Sequence, residues 1–224
     1  LLLARLASKC GVRRFIFISS IKVNGEISLP GKPFTPDDKY VPSDPYALSK
    51  FEAEQGLLTL SKKTNMEVVI IRPPLVYGPG VKGNFFSMIK WMTIPIPLPF
   101  GAAHNQRSLV ALDNLVNFIS LCVDREKSLK ASNQIFLISD GKDISTTDLL
   151  KKVGQAFKYK ARFKVTAWLV PVPVFILLFF GKVFRKGKLV DRLIKPLQVD
   201  SSKNYDLLGW QPVVSIDEQL TKMK

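Results

Sequence analysis

Two short apolar runs on either side of one long helical segment constrain the fold of this chain more than any other feature. The first run covers residues 15–18 and the second covers residues 67–72. Apolar runs that end at polar residues or proline are typical of strands buried on both faces of a parallel sheet, so we expect residues 15–18 to form a central strand. Residues from Tyr46 to about Lys63 have the apolar spacing of a helix. Strand, helix and strand in this order predict a right-handed βαβ unit.

The second half of the chain has a mixed pattern that favours a smaller, irregular unit beside the sheet. Its predicted strands and helices cover residues 84–92, 108–112, 113–123, 134–139 and 145–157, with two short helices that begin near residues 201 and 215. The expected fold class is therefore α/β, a doubly wound parallel sheet with a small α+β lobe. We place the sheet in residues 1–80 and the lobe mainly in residues 81–224, with some segments that return to the sheet.

Basic residues exceed acidic ones by 15 among the 224 residues, and the excess is concentrated in residues 151–203. That stretch contains 13 basic residues and two acidic ones. Such an asymmetry favours an anionic partner, either a phosphorylated substrate or an anionic membrane surface, although a solvated basic face is equally consistent with it. No nucleic-acid-binding motif accompanies the charge, so we expect no nucleic-acid partner.

Histidine and cysteine are too few to form a site for a soft metal ion. The chain contains His104, Cys10 and Cys122 only, whereas zinc sites are built from several such ligands. We therefore predict no protein-bound metal. Both cysteines lie within apolar runs, which is typical of buried thiols in a reducing compartment, and we expect a cytoplasmic protein without disulfides.

The most apolar part of the chain is residues 167–181, which Pro171 and Pro173 interrupt. The run is too short for a transmembrane helix. We favour a helix packed within the lobe. The alternative is an interfacial anchor that makes peripheral contact with anionic lipid. That alternative depends on the basic residues that follow the run, which are Lys182, Arg185, Lys186 and Lys188.

Candidate functional residues lie where the two predicted strands end. Ser19 and Ser20 follow the first strand and residues 73–80 follow the second, and ligands of an open α/β sheet bind beyond these ends. Tyr46 and Lys50 are four residues apart and share one face of the intervening helix. A nearby ammonium lowers the pKa of a phenol towards neutral pH, which would make Tyr46 a usable acid or base.

Three motifs in combination resemble the extended short-chain dehydrogenase/reductase superfamily. They are Gly-Val-Arg-Arg-Phe-Ile-Phe-Ile-Ser-Ser at 11–20, Pro-Tyr-Ala-Leu-Ser-Lys at 45–50 and Arg-Pro-Pro-Leu-Val-Tyr-Gly-Pro-Gly at 72–80. The resemblance extends along nearly the whole chain and is greatest to the NAD-dependent nucleotide-sugar epimerases and dehydratases, which include UDP-glucose 4-epimerase. It implies a Rossmann-like fold in which residues 1–80 are the C-terminal part of the NAD-binding domain.

The resemblance also implies a role for each catalytic candidate. Tyr46 would remove the proton from a sugar hydroxyl while hydride passes to NAD. Lys50 would hold the nicotinamide ribose and keep Tyr46 acidic, and Ser20 would bind the sugar oxygen as it becomes a ketone. NAD is the expected cofactor, with NADP left open, and a homodimer is the expected assembly.

Further residues are implied to bind the cofactor or the substrate. Ser19 and Pro73 would line the cofactor site together with the catalytic pair. Asn84 and Arg107 would face the nucleotide of a UDP-sugar, with the guanidinium of Arg107 on its diphosphate.

Three functions stay open on the sequence alone. The first is a nucleotide-sugar epimerase in the synthesis of polysaccharide or lipopolysaccharide precursors. The second is a 4-keto nucleotide-sugar reductase or a hydroxysteroid-like dehydrogenase, which the apolar Leu75 and Val76 favour. The third is an inactive, N-terminally truncated remnant, because the chain opens within a helical pattern and contains no Gly-rich dinucleotide motif.

Overall fold

A computed structural model of the chain describes residues 1–38, 40–81, 85, 105–157 and 195–223. The helices are α1 (Leu2–Lys9), α2 (Pro45–Lys63), α3 (Leu112–Val123), α4 (Thr146–Ala156), α5 (Ser202–Leu208) and α6 (Ile216–Thr221), with short 3-10 turns at Ile21–Val23 and Leu129–Ala131. The strands are β1 (Arg14–Ile18), β2 (Glu67–Arg72), β3 (Leu75–Tyr77), β4 (Leu109–Ala111) and β5 (Gln134–Leu137).

The larger sheet is parallel and has the strand order β1-β2-β5. Ile18 of β1 lies opposite Ile71 of β2, and Ile71 lies opposite Phe136 of β5. The prediction of two parallel strands joined by a helix is confirmed. The prediction that residues 15–18 form the central strand is wrong for the described residues: β2 is central and β1 is an edge strand whose five residues are only partly buried.

Alternation along β2 explains why helices pack on both faces of this sheet. Val68 and Ile70 point to one face, where they pack with residues of α1 and α2. Val69 and Ile71 point to the other face, where they pack with residues of α3. Successive residues of a strand face opposite sides. All four side chains are fully buried, because helices cover both faces of the sheet. The sequence therefore produces the doubly wound arrangement of a Rossmann-like α/β fold.

The second sheet is a parallel pair, β3-β4, in which Leu75 lies opposite Leu109. Leu75–Tyr77, among the residues that follow the second predicted strand, form a further strand that the sequence did not predict. These three apolar residues form a strand because a second apolar run, Leu109–Ala111, lies beside them. The pair packs against α4 and α6 in a separate apolar cluster.

An extended segment, residues 195–200, connects two distant parts of the molecule. On one side, the Ser108 amide donates to the Leu197 carbonyl at 2.8 Å. On the other side, the Phe34 amide donates to the Gln198 carbonyl at 2.8 Å. Leu197 also packs with Ile21, directly after Ser20. The segment therefore holds the long loop after β1 against the second sheet.

Several local predictions agree with the structure and a few differ. Ser145 and Ser215 cap α4 and α6 as expected. Helix α3 begins at Leu112, one residue early. Strand β5 ends at Leu137, two residues short of the prediction. Cys10 is exposed at the end of α1, so the expectation of two buried thiols holds only for Cys122.

Other expectations lie outside the described residues or concern absences. The helix predicted at residues 84–92 lies outside them except for Phe85, which is buried. The apolar and basic residues 167–188 also lie outside them. Among the helices that are described, none has the length and apolar character needed to cross a membrane.

Candidate active site

The residues after β1 and those after β2 lie side by side at one edge of the larger sheet. The Ser19 amide donates to the Ile71 carbonyl at 2.7 Å, and the Ile21 amide donates to the Pro73 carbonyl at 3.0 Å. These bonds continue the parallel register of the two strands. They bring the serine pair next to Pro73, as the positions of the strand ends predicted.

Ser20 is the residue before the Ile21–Val23 turn, and its hydroxyl oxygen already accepts one hydrogen bond. The Ser20 Oγ accepts a hydrogen bond from the Lys22 amide at 3.3 Å. This bond uses an oxygen lone pair and leaves the O–H able to donate. A donor at this position suits an oxygen that gains carbonyl character.

Ser19 differs from Ser20 because it is buried. The Ser19 side chain is 4% exposed, and its Oγ has no hydrogen-bond partner among the described residues. Buried hydroxyls almost always find a partner within the protein or in bound water or ligand. The environment of Ser19 therefore fits a group that is bound from outside the chain.

Lys50 reaches from α2 to the end of β1. Its Nζ donates to the Ile18 carbonyl at 3.0 Å and lies 4.8 Å from the centroid of the Phe17 ring. The ammonium is therefore placed directly before the serine pair. Lys50, which the helical spacing puts on the same face of α2 as Tyr46, therefore has a hydrogen-bond partner at the edge of the sheet.

Tyr46 lies in the first turn of α2, and its side chain is half exposed. The Nζ of Lys22 lies 5.5 Å from the centroid of the Tyr46 ring. The Lys22 backbone amide also donates to Ser20 Oγ, so Lys22 is a neighbour of both Tyr46 and Ser20. Lys50 therefore contacts the end of β1 directly, and Lys22 connects Ser20 with the Tyr46 ring.

Lys22 is a site residue that the sequence analysis missed. It lies in a loop between two buried apolar residues, Ile21 and Val23, and a loop lysine is usually a solvated surface residue. Its only sequence signal is its position two residues after Ser20. The contacts that distinguish Lys22 are made to residues more than twenty positions away in the chain. The spacing of residues in the sequence does not reveal such contacts.

A buried ion pair attaches α2 to the end of β2 and was also missed. Arg72 Nη2 lies 2.6 Å from Glu54 Oε2, and the side chains are 5% and 0% exposed. Arg72 Nη1 also donates to Asn24 Oδ1 at 2.9 Å. Glu54 lies one helical turn after Lys50, so the pair fixes α2, which carries Tyr46 and Lys50, relative to the sheet.

Tyr77 is a second tyrosine near this edge, and its contacts exclude it as the acid or base. Its O–H donates to Asp140 Oδ2 at 2.6 Å. Burial and the adjacent Asp140 carboxylate raise the pKa of Tyr77 far above its ordinary value, and burial also raises the pKa of Asp140. A phenol held neutral in this way cannot serve as a base near neutral pH. Tyr46 therefore stays the candidate.

The residues predicted to bind substrate are not all placed with the catalytic group. Arg107 pairs through its backbone with Ile144 and Leu197, and its Nη1 donates to the Lys195 carbonyl at 2.8 Å. Among the described residues, Leu197 links it to the Ser20 turn, because Leu197 packs with Ile21. Asn84 lies outside the described residues. The described residues contain no cluster of His, Cys, Asp and Glu that could hold a metal ion.

A family model for the NAD dependent epimerase/dehydratase family matches residues 1–138. The chain belongs to this family. Among its relatives is a UDP-glucose 4-epimerase from Vibrio cholerae, 50% identical over 217 residues, an alignment that covers 96% of this chain and 63% of the relative. An N-acetyl-alpha-D-glucosaminyl-diphospho-ditrans,octacis-undecaprenol 4-epimerase from Escherichia coli O157:H7 is 29% identical over 157 residues, which cover 68% of this chain and 45% of that protein. The chain thus spans less than two thirds of the length of either relative.

Solved structures of epimerases share the fold of this family member. A UDP-glucuronic acid 4-epimerase from Bacillus cereus has a TM-score of 0.73 at 22% identity, covering 99% of this chain and 63% of that one. A UDP-glucose 4-epimerase from Thermotoga maritima has a TM-score of 0.73 at 22% identity, covering 99% of this chain and 65% of that one. At this identity the likeness shows the Rossmann-like fold.

Proposed function

We propose that the whole protein is an NAD-dependent nucleotide-sugar epimerase of the UDP-glucose 4-epimerase kind. The observation that carries the proposal is the placement of Lys50 against the end of β1, directly before Ser20, with Tyr46 on the same face of its helix and next to Lys22. Membership of the NAD dependent epimerase/dehydratase family and the 50% identical relative support the same reaction.

In the proposed mechanism, each of the three side chains acts on one sugar hydroxyl. Tyr46 takes the hydroxyl proton as a phenolate, and the Lys50 ammonium favours that phenolate. Ser20 donates a hydrogen bond to the oxygen as carbonyl character develops. NAD, when bound, supplies the hydride acceptor and donor. The sugar carbon would be inverted when the ketone turns over and is reduced on its opposite face, and Tyr46 would then return the proton to the oxygen.

We propose that Ser19, Lys50 and Pro73 line the cofactor site. The residues present fit such a group, because the Ser19 hydroxyl is buried without a partner among the described residues. Lys50 has further N–H donors besides the one used by Ile18, and these could hold a ribose. Pro73 is buried beside the serine turn.

For the substrate, we propose a UDP-sugar held by Arg107 and Asn84 in addition to Ser20. A guanidinium binds a diphosphate through paired, charge-assisted hydrogen bonds. The proposed division places the cofactor in residues 1–80 and the sugar nucleotide mainly against residues 81–224. We further propose a cytoplasmic homodimer, with peripheral membrane contact through residues 167–188 as the alternative to a packed helix there.

The experiment is an assay of UDP-glucose and UDP-galactose interconversion by the protein expressed from its complete gene. Tyr46→Phe removes the acid/base and should lower turnover on the order of 10²-fold or more. Tyr205→Phe is the matched control, since Tyr205 is an exposed tyrosine on α5, and it should retain activity. Wild-type turnover in Tyr46→Phe would contradict the mechanism. A complete protein without any turnover would favour the inactive remnant.

The same assay separates the epimerase from a reductase or dehydrogenase of the family. The apolar Leu75 and Val76 pack in two different apolar clusters as members of β3. Their apolar character therefore has a packing explanation and does not by itself favour a reductase. Net consumption of reduced cofactor during turnover would identify a reductase, whereas an epimerase leaves the cofactor unchanged.

A further inference from the structure

The strands of the larger sheet begin at the edge opposite the candidate active site. Three connecting segments meet at this edge, and they are residues 9–14 before β1, residues 62–67 before β2 and residues 123–134 before β5. The Glu67 carboxylate joins all three, because it pairs with Arg14 and with Arg125. We call the outer face of these segments the basic surface. Since β2 has six residues, this surface lies about 20 Å from the catalytic edge.

The basic surface has an excess of positive charge. Its three segments contain eight basic residues and three acidic ones, and two of the acidic residues, Glu67 and Asp124, are already in ion pairs. Five basic residues are exposed and form no ion pair with any described residue, and they are Lys9, Arg13, Lys62, Lys63 and Lys130. Lysines at the ends of α1 and α2 also complement the helix dipoles. Arg13 and Lys130 lie outside the α-helices, so the dipoles do not account for them, and the surface as a whole attracts an anionic partner.

Exposed aliphatic side chains accompany these charges. Val123 and Leu129 are 64% and 68% exposed, and Val12 is also exposed. Each of the three lies within two positions of a basic residue. Aliphatic side chains among cations are typical of proteins that lie on anionic lipid, because the cations bind the headgroups and the aliphatic groups enter the boundary with the acyl chains. A surface for single-stranded nucleic acid offers aromatic side chains for stacking, and the three segments contain none.

We propose that the basic surface docks the protein on an anionic membrane surface. Contact through this edge leaves the opposite edge of the sheet, with Ser20 and Tyr46, facing water and open to a soluble substrate. The docking surface is separate from residues 167–188. It does not rest on the proposed function, because membrane binding is measured without turnover.

The test is flotation of the protein, expressed from its complete gene, with vesicles of phosphatidylcholine and phosphatidylglycerol in equal parts. Vesicles of phosphatidylcholine alone are the uncharged comparison. We expect binding to the mixed vesicles only. Salt should release the protein, because the Debye length falls to about 3 Å near 1 M ionic strength.

Two double variants with the same change of net charge locate the binding surface. Arg13→Gln with Lys130→Gln removes two charges from the basic surface and should weaken binding to the mixed vesicles about 30-fold. Lys32→Gln with Lys142→Gln is the matched control, because both lysines are exposed and follow the carboxyl ends of β1 and β5. The control should bind as the wild-type protein does. Equal losses in the two double variants, or no binding by the wild-type protein, would overturn the proposal.

A third double variant tests the aliphatic contribution. Val123→Ser with Leu129→Ser leaves the net charge unchanged and should weaken binding to the mixed vesicles on the order of 10-fold. Vesicle binding that neither this variant nor Arg13→Gln with Lys130→Gln weakens would overturn the proposal and favour residues 167–188 as the contact. Binding to a single-stranded RNA oligonucleotide without binding to vesicles would overturn it in favour of a nucleic-acid surface.

Discussion

Among single residues, Glu54 has the most demanding environment in the described part of the molecule. Its side chain is fully buried in α2, and its carboxylate accepts from Arg72 Nε and Nη2. A buried carboxylate is tolerated only with such a partner, because removal from water is costly for a charge. The ion pair therefore fixes the register between α2 and β2.

The first prediction concerns this pair. Glu54→Gln leaves the Arg72 guanidinium buried without a counter-charge, so it should lower the free energy of unfolding by about 3–5 kcal/mol. The measurement is urea unfolding at neutral pH. Glu52→Gln, two residues earlier on the exposed face of α2, is the control and should change stability by less than about 0.5 kcal/mol. Equal effects of the two variants would show that the pair has no such role.

Spacing identified the catalytic candidates but not the residues that contact them. Tyr46 and Lys50 are recognisable because their relation is local, four positions along one helix. The partners of Glu54 and Lys22 are set by the packing of α2 against the sheet and by the path of the loop after β1. Residue types in a sequence do not specify those distances, so both residues looked like ordinary surface charges.

At the level of elements, the turn after β3 depends on a close approach between chain segments. Gly78 has a φ of +156°, and a Cβ at this position would lie 2.6 Å from Leu112 Cβ at the start of α3. Real atoms do not approach so closely, so any side chain here must displace α3 or the strand. Only glycine permits β3 and α3 to pack at this distance.

Gly78→Ala should therefore destabilise the protein by about 2–4 kcal/mol, through overpacking and backbone strain together. Gly80→Ala is a matched control two residues later. Gly80 has a φ of +71°, but among the described residues no atom lies within 4 Å of its added Cβ, so the backbone penalty of about 1 kcal/mol is the expected cost. Thermal or urea unfolding of both variants compares them. A control variant that is as unstable as Gly78→Ala would contradict the packing argument.

Elements whose signals are local were predicted well, and those that depend on a neighbour were not. The serine caps of α4 and α6 are visible in the sequence because each cap lies within four consecutive residues. Strand β3 was missed because three residues form a strand only when another strand is available. The edge position of β1 likewise depends on strand order, which a single apolar run does not specify.

On the scale of the whole molecule, the segment at residues 195–200 is held by polar side chains as well as by its backbone. Asp143 accepts from Ser108 Oγ at 2.5 Å and from Gln198 Nε2 at 2.7 Å. Ser108 Oγ in turn accepts from the Val199 amide. These bonds attach the segment to the second sheet, and the segment holds the loop around Phe34.

The third prediction is that residues 195–200 and the loop around Phe34 unfold locally as one unit. Asp143→Ala should speed the hydrogen exchange of the Phe34 and Leu197 amides by about 5–30-fold, which corresponds to a loss of 1–2 kcal/mol. The Ile70 amide in the central strand should be unaffected. Asp206→Ala, an exposed aspartate on α5, is the control. Faster exchange at Leu197 without a change at Phe34 would show that the two sides open independently.

The contacts of residues 195–200 also determine the order in which parts of the molecule can fold during synthesis. The Gln198 amide donates to Ser28 Oγ, 170 positions earlier in the chain. At a translation rate of about 5–20 residues per second, the loop after β1 waits on the order of ten to thirty seconds for its partner. Strands β1 and β2 can pair long before then. The part of the loop around Ser28 and Phe34, which bonds to this segment, is therefore completed late in synthesis, and it is the stretch that a chaperone or a protease would meet unprotected.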